Sequence, residues 1–182
     1  MVKVADASPI PTMIYNFPGV TAGIDLDSSI LIELACHPNI VGTKLSCGNI
    51  GKLQRITSTV PSSTFAVFAG RSDVLLQGLI SGSAGGITAL VNIAPAAHAK
   101  VFARWKEGKG LEEMELQALL GRADAAVSAI GGIGGIKAII QQNFGYGEPR
   151  AREPLGPPDV KTLTGPNYDT VLKLLELEKS LV

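Results

Sequence analysis

Short apolar runs alternate with stretches of helical periodicity through the first half of this chain, and that alternation constrains the fold more than any other feature. Each apolar run ends near glycine, proline or a polar residue. Repeated strand–helix units of this kind build a parallel sheet covered by helices. The predicted strands are residues 12–16, 40–44, 65–69 and 87–91, and the helices between them are residues 28–36, 50–60 and 74–80.

The pattern changes at Pro95, where amphipathic stretches follow one another without strands between them. We therefore predict two domains, an α/β part over residues 1–94 and a helical part over residues 95–182. The four strands suit either a small doubly wound sheet or part of a barrel, and periodicity leaves both open. The helices predicted in the second part are residues 95–107, 111–129, 135–144 and 168–181, with a loop at residues 147–158.

Composition excludes several classes of function. The 16 basic and 16 acidic residues leave no net charge, so a nucleic-acid partner is not expected. The uncharged stretch at residues 74–97 is interrupted by Gly, Pro and polar residues, so we predict no membrane span. No basic and apolar leader opens the chain, and the expected compartment is the cytoplasm, with the mitochondrion left open.

The thiols, imidazoles and clustered glycines are predicted to be structural. Cys36 and Cys47 lack metal-ligand spacing and fit reduced thiols. His37 precedes a proline, His98 lies on a predicted helix, and neither has an evident partner in the sequence. The glycines of residues 131–135 are not followed by Lys-Ser/Thr, so we predict a turn leading into a helix rather than a phosphate loop. No metal and no cofactor is expected.

Lys44 is the most informative single residue, because it ends the apolar run Asn39-Ile40-Val41-Gly42-Thr43-Lys44. Burying an unpaired ammonium group is unfavourable, and loss of the proton relieves the cost. A neutral amine in a dry pocket attacks carbonyl carbon. Without further context a lysine at a strand end is more often a surface residue, so the neighbouring strings decide its interpretation.

Four strings in this order resemble the dihydrodipicolinate synthase / N-acetylneuraminate lyase superfamily of class I aldolases. The run from Lys44 to Asn49 looks most similar to fungal 2-keto-3-deoxy sugar acid or 4-hydroxy-2-oxoglutarate aldolases. The strings are Tyr15-Asn16-Phe17-Pro18-Gly19-Val20-Thr21, Asn39-Ile40-Val41-Gly42-Thr43-Lys44, Phe68-Ala69-Gly70, and Gly85-Gly86-Ile87 with Asn92.

The resemblance implies a partial (β/α)8 TIM barrel, made of the fifth to eighth strands with their helices and C-terminal helices. Residues 2–8 then correspond to the tail of the fourth barrel helix. The first four units, which in the family include the segment that holds the substrate carboxylate, have no counterpart in this sequence. We therefore expect a homo-oligomer or a complementary half-barrel as partner. The alternatives are a catalytically impaired remnant with an oligomeric or regulatory role, and a dihydrodipicolinate synthase-type condensing enzyme.

The same resemblance assigns roles to individual residues. Lys44 would form a Schiff base with the keto carbon of pyruvate or another 2-oxo acid, and Tyr15 would relay protons. Thr21 would supply a hydroxyl near the mouth of the site. Ser46 would place a hydroxyl beside the substrate, and the main-chain carbonyl of Ile87 would lie near the lysine.

Overall fold

A computed structural model describes residues 1–156 and 163–182, and the chain divides into two units. Met1–Ile87 form the first, called here the sheet unit, and Thr88–Val182 form the second, the helical unit. We predicted a domain boundary after residue 94. The two units are groups of residues that pack together within this chain, and the predicted domains stay a prediction.

The sheet unit alternates strand and helix, as the apolar pattern predicts. Its strands are parallel and lie in the order β1-β2-β3-β4. The short first helix occupies the segment expected to be the tail of a helix. The elements are α1 (Val2–Ala7), β1 (Thr12–Asn16), α2 (Ser28–Leu34), β2 (Ile40–Leu45), α3 (Ile50–Thr57), β3 (Ala66–Ala69), α4 (Leu75–Ile80) and β4 (Gly85–Gly86).

Side-chain caps explain where two of these helices begin. The carboxylate of Asp27 accepts a hydrogen bond from the Ile30 main-chain nitrogen at 3.0 Å, which starts α2. The Asn49 side chain accepts from the Lys52 nitrogen at 2.8 Å and starts α3 in the same way. Both helices end two or three residues before the predicted ends, because their last residues form turns instead. The caps satisfy amide groups that lack a partner in the first turn of a helix.

The two faces of the sheet differ. Side chains on one face, including Ile14, Leu45 and Val67, pack with Leu31 of α2 and Leu53 of α3 in a buried cluster. The other face, called here the open face, carries Met13, Tyr15, Lys44 and Phe68, which are exposed or only partly buried. Strand alternation places consecutive residues on opposite faces, so one face is buried and the other is available.

The alternation fails at the start of β2. The register shifts between Thr12 and Met13, which pair with Ile40 and Gly42, so Val41 has no partner across the strands. Ile40 consequently lies in the same buried cluster as Leu45. Regular alternation along β2 would have placed Ile40 on the same face as Gly42 and Lys44, and the irregularity in the pairing is the reason that it lies on the other face.

The fourth strand is not where the sequence predicts it. Gly85 and Gly86 pair with Phe68 and Ala69, and the Ile87 nitrogen then donates to the Ala69 carbonyl at 2.9 Å. The predicted strand at residues 87–91 is wrong, because the neighbouring strand β3 ends at Ala69 and offers no further partner. The apolar run instead enters a 3-10 turn at Leu90–Asn92.

The helical unit buries apolar side chains from several helices, with α6 and α8 in extensive contact. The carboxylate of Glu178 accepts from the Ala96 and Ala97 nitrogens at 2.7 and 2.8 Å and caps α5. The predicted helix at 111–129 begins later, after a 3-10 turn at Gly110–Glu113. The helices are α5 (Pro95–Lys106), α6 (Met114–Ala129), α7 (Ile133–Phe144) and α8 (Gly165–Leu181).

Gly131 and Gly132 adopt positive φ values of 110° and 59° immediately before α7, which confirms the predicted turn into a helix. Of the predicted loop at residues 147–158, the last two residues lie outside the described residues. Within the described ranges no single helix is long and apolar enough to cross a membrane. A bent pair, Gly110–Ala129 with Ile133–Phe144, meets the length and composition criteria only when both helices are taken together.

Candidate active site

Lys44 and Tyr15 meet at the carboxyl ends of two adjacent parallel strands. They are register partners across β1 and β2, and the Lys44 Nζ lies 4.2 Å from the centre of the Tyr15 ring. On the other side, Lys44 is in register with Phe68 of β3. The two residues proposed for imine formation and proton transfer are thus neighbours on the open face.

The surroundings of this pair are aromatic and partly open. The Tyr15 side chain remains 49% exposed, and Lys44 is half-buried. The Phe17 ring lies 5.5 Å from the Tyr15 ring, at 33° between their planes. An ammonium group over a ring face is attracted by the negative face of the π system, so Tyr15 also holds the lysine side chain in place.

Ser46 lies between the ends of three strands. Its main-chain nitrogen donates to the Asn16 carbonyl at 2.9 Å, and its hydroxyl donates to the Gly70 carbonyl at 3.3 Å. A Cβ at Gly70 would lie 2.6 Å from the Ser46 nitrogen, so a side chain at position 70 would push Ser46 away. Position 70, directly after β3, must therefore be glycine or very small. This keeps Ser46 buried at its place two residues after Lys44.

Gly42 is required by the close pairing of β2 with β3. A Cβ at Gly42 would lie 2.5 Å from the main-chain oxygen of Ala66 on the adjacent strand. The backbone of the adjacent strand is so close that only glycine fits at this position.

Thr21 and Ile87 lie on the connections that follow β1 and β4. The Thr21 hydroxyl is within hydrogen-bond distance of the Phe17 and Ile24 carbonyls, at 3.1 and 2.9 Å, and so holds its own loop together. The adjacent Ala22 has a φ of 52°, unusual for a residue with a side chain. Ile87 is tied to β3 through its nitrogen, while the predicted role of its carbonyl stays a prediction.

Sequence reasoning missed a polar network that underlies the end of β1. Lys52 on α3 is buried and forms an ion pair with Asp25, and the same Asp25 oxygen accepts from the Asn16 side chain at 2.8 Å. The hydrogen bond from Lys52, followed by that from Asn16, lowers the pKa of the Asp25 carboxyl. One sequence signal was available: Lys52 precedes Ile56 by four residues and therefore shares the buried face of α3.

Metal-binding side chains are not grouped in the described ranges: no three His, Cys, Asp or Glu residues there lie close enough to hold an ion. Cys36 and Cys47 are free thiols, as the sequence predicts. His37 is not without a partner, because its Nε2 lies 2.9 Å from Asp6. His98 is buried with its Nδ1 2.7 Å from the Ala94 carbonyl, a structural contact.

Comparison with known proteins adds a family and several relatives. The model of the dihydrodipicolinate synthetase family matches residues 2–168. A protein of Emericella nidulans named "probable 4-hydroxy-2-oxoglutarate aldolase, mitochondrial" is 45% identical over 154 residues, which cover 85% of this chain and 49% of the relative. The L-threo-3-deoxy-hexylosonate aldolase of Hypocrea jecorina is 43% identical over 153 residues, covering 80% of this chain and 48% of that protein.

Solved structures agree with the sequence relatives. A crystal structure of a dihydrodipicolinate synthase family protein from Coccidioides immitis superposes with a TM-score of 0.81 at 32% identity, covering 99% of this chain and 59% of that one. The chain spans about half the length of the curated relatives that it matches. The arrangement of parallel strands and helices described above is therefore shared with proteins that are considerably longer.

Proposed function

Because this chain belongs to the dihydrodipicolinate synthetase family, we propose that it is a Schiff-base-forming aldolase acting on a pyruvate-derived 2-oxo acid. Suitable substrates are 4-hydroxy-2-oxoglutarate or a 2-keto-3-deoxy sugar acid, the substrate classes suggested by the names of its relatives. One observation carries the proposal: an amine and a phenol lie side by side at the carboxyl ends of adjacent parallel strands, where barrel enzymes place their reactive groups.

Lys44 supplies the nucleophile. Its neutral amine attacks the keto carbon of the substrate, a C–N bond forms, and loss of water from the carbinolamine leaves an iminium ion. When the bond between the third and fourth carbons breaks, its electron pair moves toward the iminium nitrogen and gives an enamine. The fourth carbon leaves as an aldehyde. Protonation of the enamine and hydrolysis of the imine then release pyruvate and free the amine.

Tyr15 moves the protons that these steps require. The phenol first donates its proton to the carbinolamine oxygen as water leaves, and the resulting phenolate accepts the proton of the substrate hydroxyl as the aldehyde forms. The phenol then returns that proton to the enamine carbon. The Lys44 Nζ lies 4.2 Å from the centre of the Tyr15 ring, which supports a phenol and an amine that act on the same bound substrate. No cofactor takes part, because the iminium itself is the electron sink.

Ser46, Thr21 and Ile87 complete the proposed site. Ser46 donates to Gly70, which leaves its oxygen lone pairs available for a substrate hydroxyl. Thr21 holds the conformation of the loop at the mouth of the site. The Ile87 carbonyl faces the imine as an acceptor in this proposal. These three residues orient the substrate, while Lys44 and Tyr15 react with it.

The fold in this proposal is half of a (β/α)8 barrel, completed by a second copy of the chain or by a complementary half-barrel. In the described residues β1 is an edge strand, and Met13 and Tyr15 are exposed on the open face. A parallel strand edge and an exposed apolar face are commonly covered in assembled proteins. Completion would also enclose the amine and supply a partner for the carboxylate of the substrate.

Trapping with borohydride tests the proposal. The protein is incubated with pyruvate and sodium borohydride over a range of pH, and mass spectrometry locates the reduced adduct. We expect the adduct on Lys44, its loss in Lys44→Ala, and its retention in Lys173→Ala, which changes an exposed lysine on α8. Absence of an adduct at every pH would refute the aldolase and favour the catalytically impaired remnant.

Product analysis and particle size distinguish the remaining alternatives. Release of pyruvate from 4-hydroxy-2-oxoglutarate supports cleavage, whereas consumption of pyruvate together with an added aldehyde would indicate a condensing enzyme of the dihydrodipicolinate synthase type. Light scattering on the active sample reports whether two copies assemble. An active monomer would contradict the need for a completing partner.

A further inference from the structure

Lys52 is a buried charge for which the proposed chemistry has no use. Its side chain is only 4% exposed, and it lies in the first turn of α3, where the helix dipole disfavours a cation. Burial of an ammonium group adds a second unfavourable contribution. The ion pair with Asp25 offsets both, so Lys52 and Asp25 depend on each other.

The ion pair continues into a hydrogen-bonded clamp around the loop that follows β1. The Asn16 side-chain nitrogen donates to Asp25 at 2.8 Å, and the Asn16 side-chain oxygen accepts from the Leu26 nitrogen at 3.0 Å. Asn16 is buried, so few other partners could replace these. Asn16, which precedes the loop at residues 17–24, is thereby tied to Asp25 and Leu26, which follow it, and this loop carries Thr21.

The clamp is adjacent to two residues of the proposed site, Tyr15 and Ser46. Tyr15 immediately precedes Asn16 along β1, and the Asn16 main-chain oxygen accepts from the Ser46 nitrogen at 2.9 Å. A shift of Asn16 would therefore move the backbone of Tyr15 relative to Lys44 on the next strand. Displacements of about 1 Å in a reacting pair can cost roughly a hundredfold in rate.

We infer that Lys52, acting through Asp25 and Asn16, is a positioning residue that sets the Tyr15 phenol against the Lys44 amine and holds the loop carrying Thr21. The inference rests on the proposed function, in which Tyr15 relays protons. Lys52 acts through other side chains and touches no reacting atom, so it is not a catalytic residue. Its loss should slow proton transfer more than it weakens imine formation.

Exchange of the methyl hydrogens of pyruvate for deuterium in heavy water measures this proton transfer, because the imine must become an enamine and return. Lys52→Met should lower the exchange rate by about 10- to 100-fold, while borohydride still traps the adduct on Lys44. Lys52→Arg keeps the cation and should restore most of the rate. Lys173→Met is the matched control on an exposed helix face, and its rate should stay that of the unmodified protein.

A double-mutant cycle separates positioning of Tyr15 from general loosening. In a Tyr15→Phe background, Lys52→Met should cost less than about twofold, because the phenol that it positions is already gone. An equal loss in both backgrounds would overturn the inference, as would an unchanged exchange rate in Lys52→Met.

Folding of each variant is checked by circular dichroism. If Lys52→Met does not fold, Asp25→Asn removes the same ion pair at a more exposed position and should show the same loss. A folded Asp25→Asn with the full exchange rate would then overturn the inference. Absence of any adduct in the unmodified protein refutes the proposed function, and the inference with it. A trapped adduct with an unaffected Lys52 variant refutes the inference alone.

Discussion

The sheet unit and the helical unit bury their apolar residues in different ways. In the sheet unit one face of the strands is covered by helices, while Met13 and Tyr15 stand on regular strand positions of the open face and remain exposed. In the helical unit the helices pack apolar side chains against one another, and Leu120 of α6 and Leu174 of α8 are fully buried. Both units therefore have a core, and in the sheet unit the strands also present a regular face that this core does not use.

That difference separates the residues that hold the fold from those proposed to react. Lys44 and Tyr15 lie on the open face, where their side chains contact each other rather than the core. The opposite face supplies rigidity through Ile14, Leu45 and Val67. A strand with one face in the core can place a reactive group with little movement, which a loop could not.

The largest expected effect is on the closed core of the helical unit. Leu120→Ala should lower the free energy of unfolding by about 2–5 kcal/mol, because a fully buried leucine leaves a cavity. Leu111→Ala is the matched control, since that side chain is 73% exposed, and it should change stability by less than about 0.5 kcal/mol. Urea denaturation followed by circular dichroism measures both. Similar costs for the two variants would mean that the helical core is not closed.

A methyl group between two strands should have the next largest effect. Gly42→Ala places a Cβ against the Ala66 carbonyl and should destabilise the sheet unit by about 1–3 kcal/mol. Gly51→Ala, in α3, meets only the far ends of side chains and should be neutral or slightly stabilising. Urea midpoints compare the two variants. If Gly42→Ala unfolds with an unchanged midpoint, the strands are less closely paired than described.

Acid should weaken the helical unit through His98. Burial lowers the pKa of this imidazole below 6.5, although the Ala94 carbonyl and Glu178 act in the opposite direction. Between the lowered value and 6.5 the unfolded chain binds more protons, so stability falls as pH decreases, by at most about 1.4 kcal/mol per pH unit. Unfolding curves from pH 7.5 to 5 measure the slope, and His98→Gln should flatten it. An identical slope in that variant would assign the acid sensitivity to other groups.

The smallest expected effect concerns the open face itself. Met13 is 44% exposed, so Met13→Ala should change the free energy of unfolding by less than about 0.5 kcal/mol in a monomer. A larger cost that grows with protein concentration would show that another subunit covers this face. Urea denaturation at two protein concentrations distinguishes these outcomes. In the second case the open face of the sheet unit would be exposed in the isolated chain but buried in the assembly.

Local sequence patterns predicted those strands and helices whose positions depend on interactions between residues near each other in the chain. The first strand was predicted at residues 12–16 and lies at Thr12–Asn16, and α3 begins at Ile50 because Asn49 caps it. The fourth strand was misplaced because an apolar run at residues 87–91 carries no information about where β3 ends. Pairing with Phe68 and Ala69 selected Gly85–Gly86 instead.

In the candidate site, too, some residues were predicted from the sequence and others were not. The strings around Tyr15 and Lys44 predicted a reactive pair, and the register of β1 and β2 brings these two residues together. The clamp of Asn16, Asp25 and Lys52 was missed, because its members come from a strand, a loop and a helix. Only the packing of α3 beside the loop joins them.

The sequence alone therefore determined the alternation of strands and helices and the chemical types of side chain available at the site. These follow from local periodicity and from the chemistry of individual side chains. The tertiary structure decided the strand register, the glycine required at position 42, and the partner of Lys52. Such contacts join residues far apart in the chain, and their energies depend on distances that no local pattern specifies.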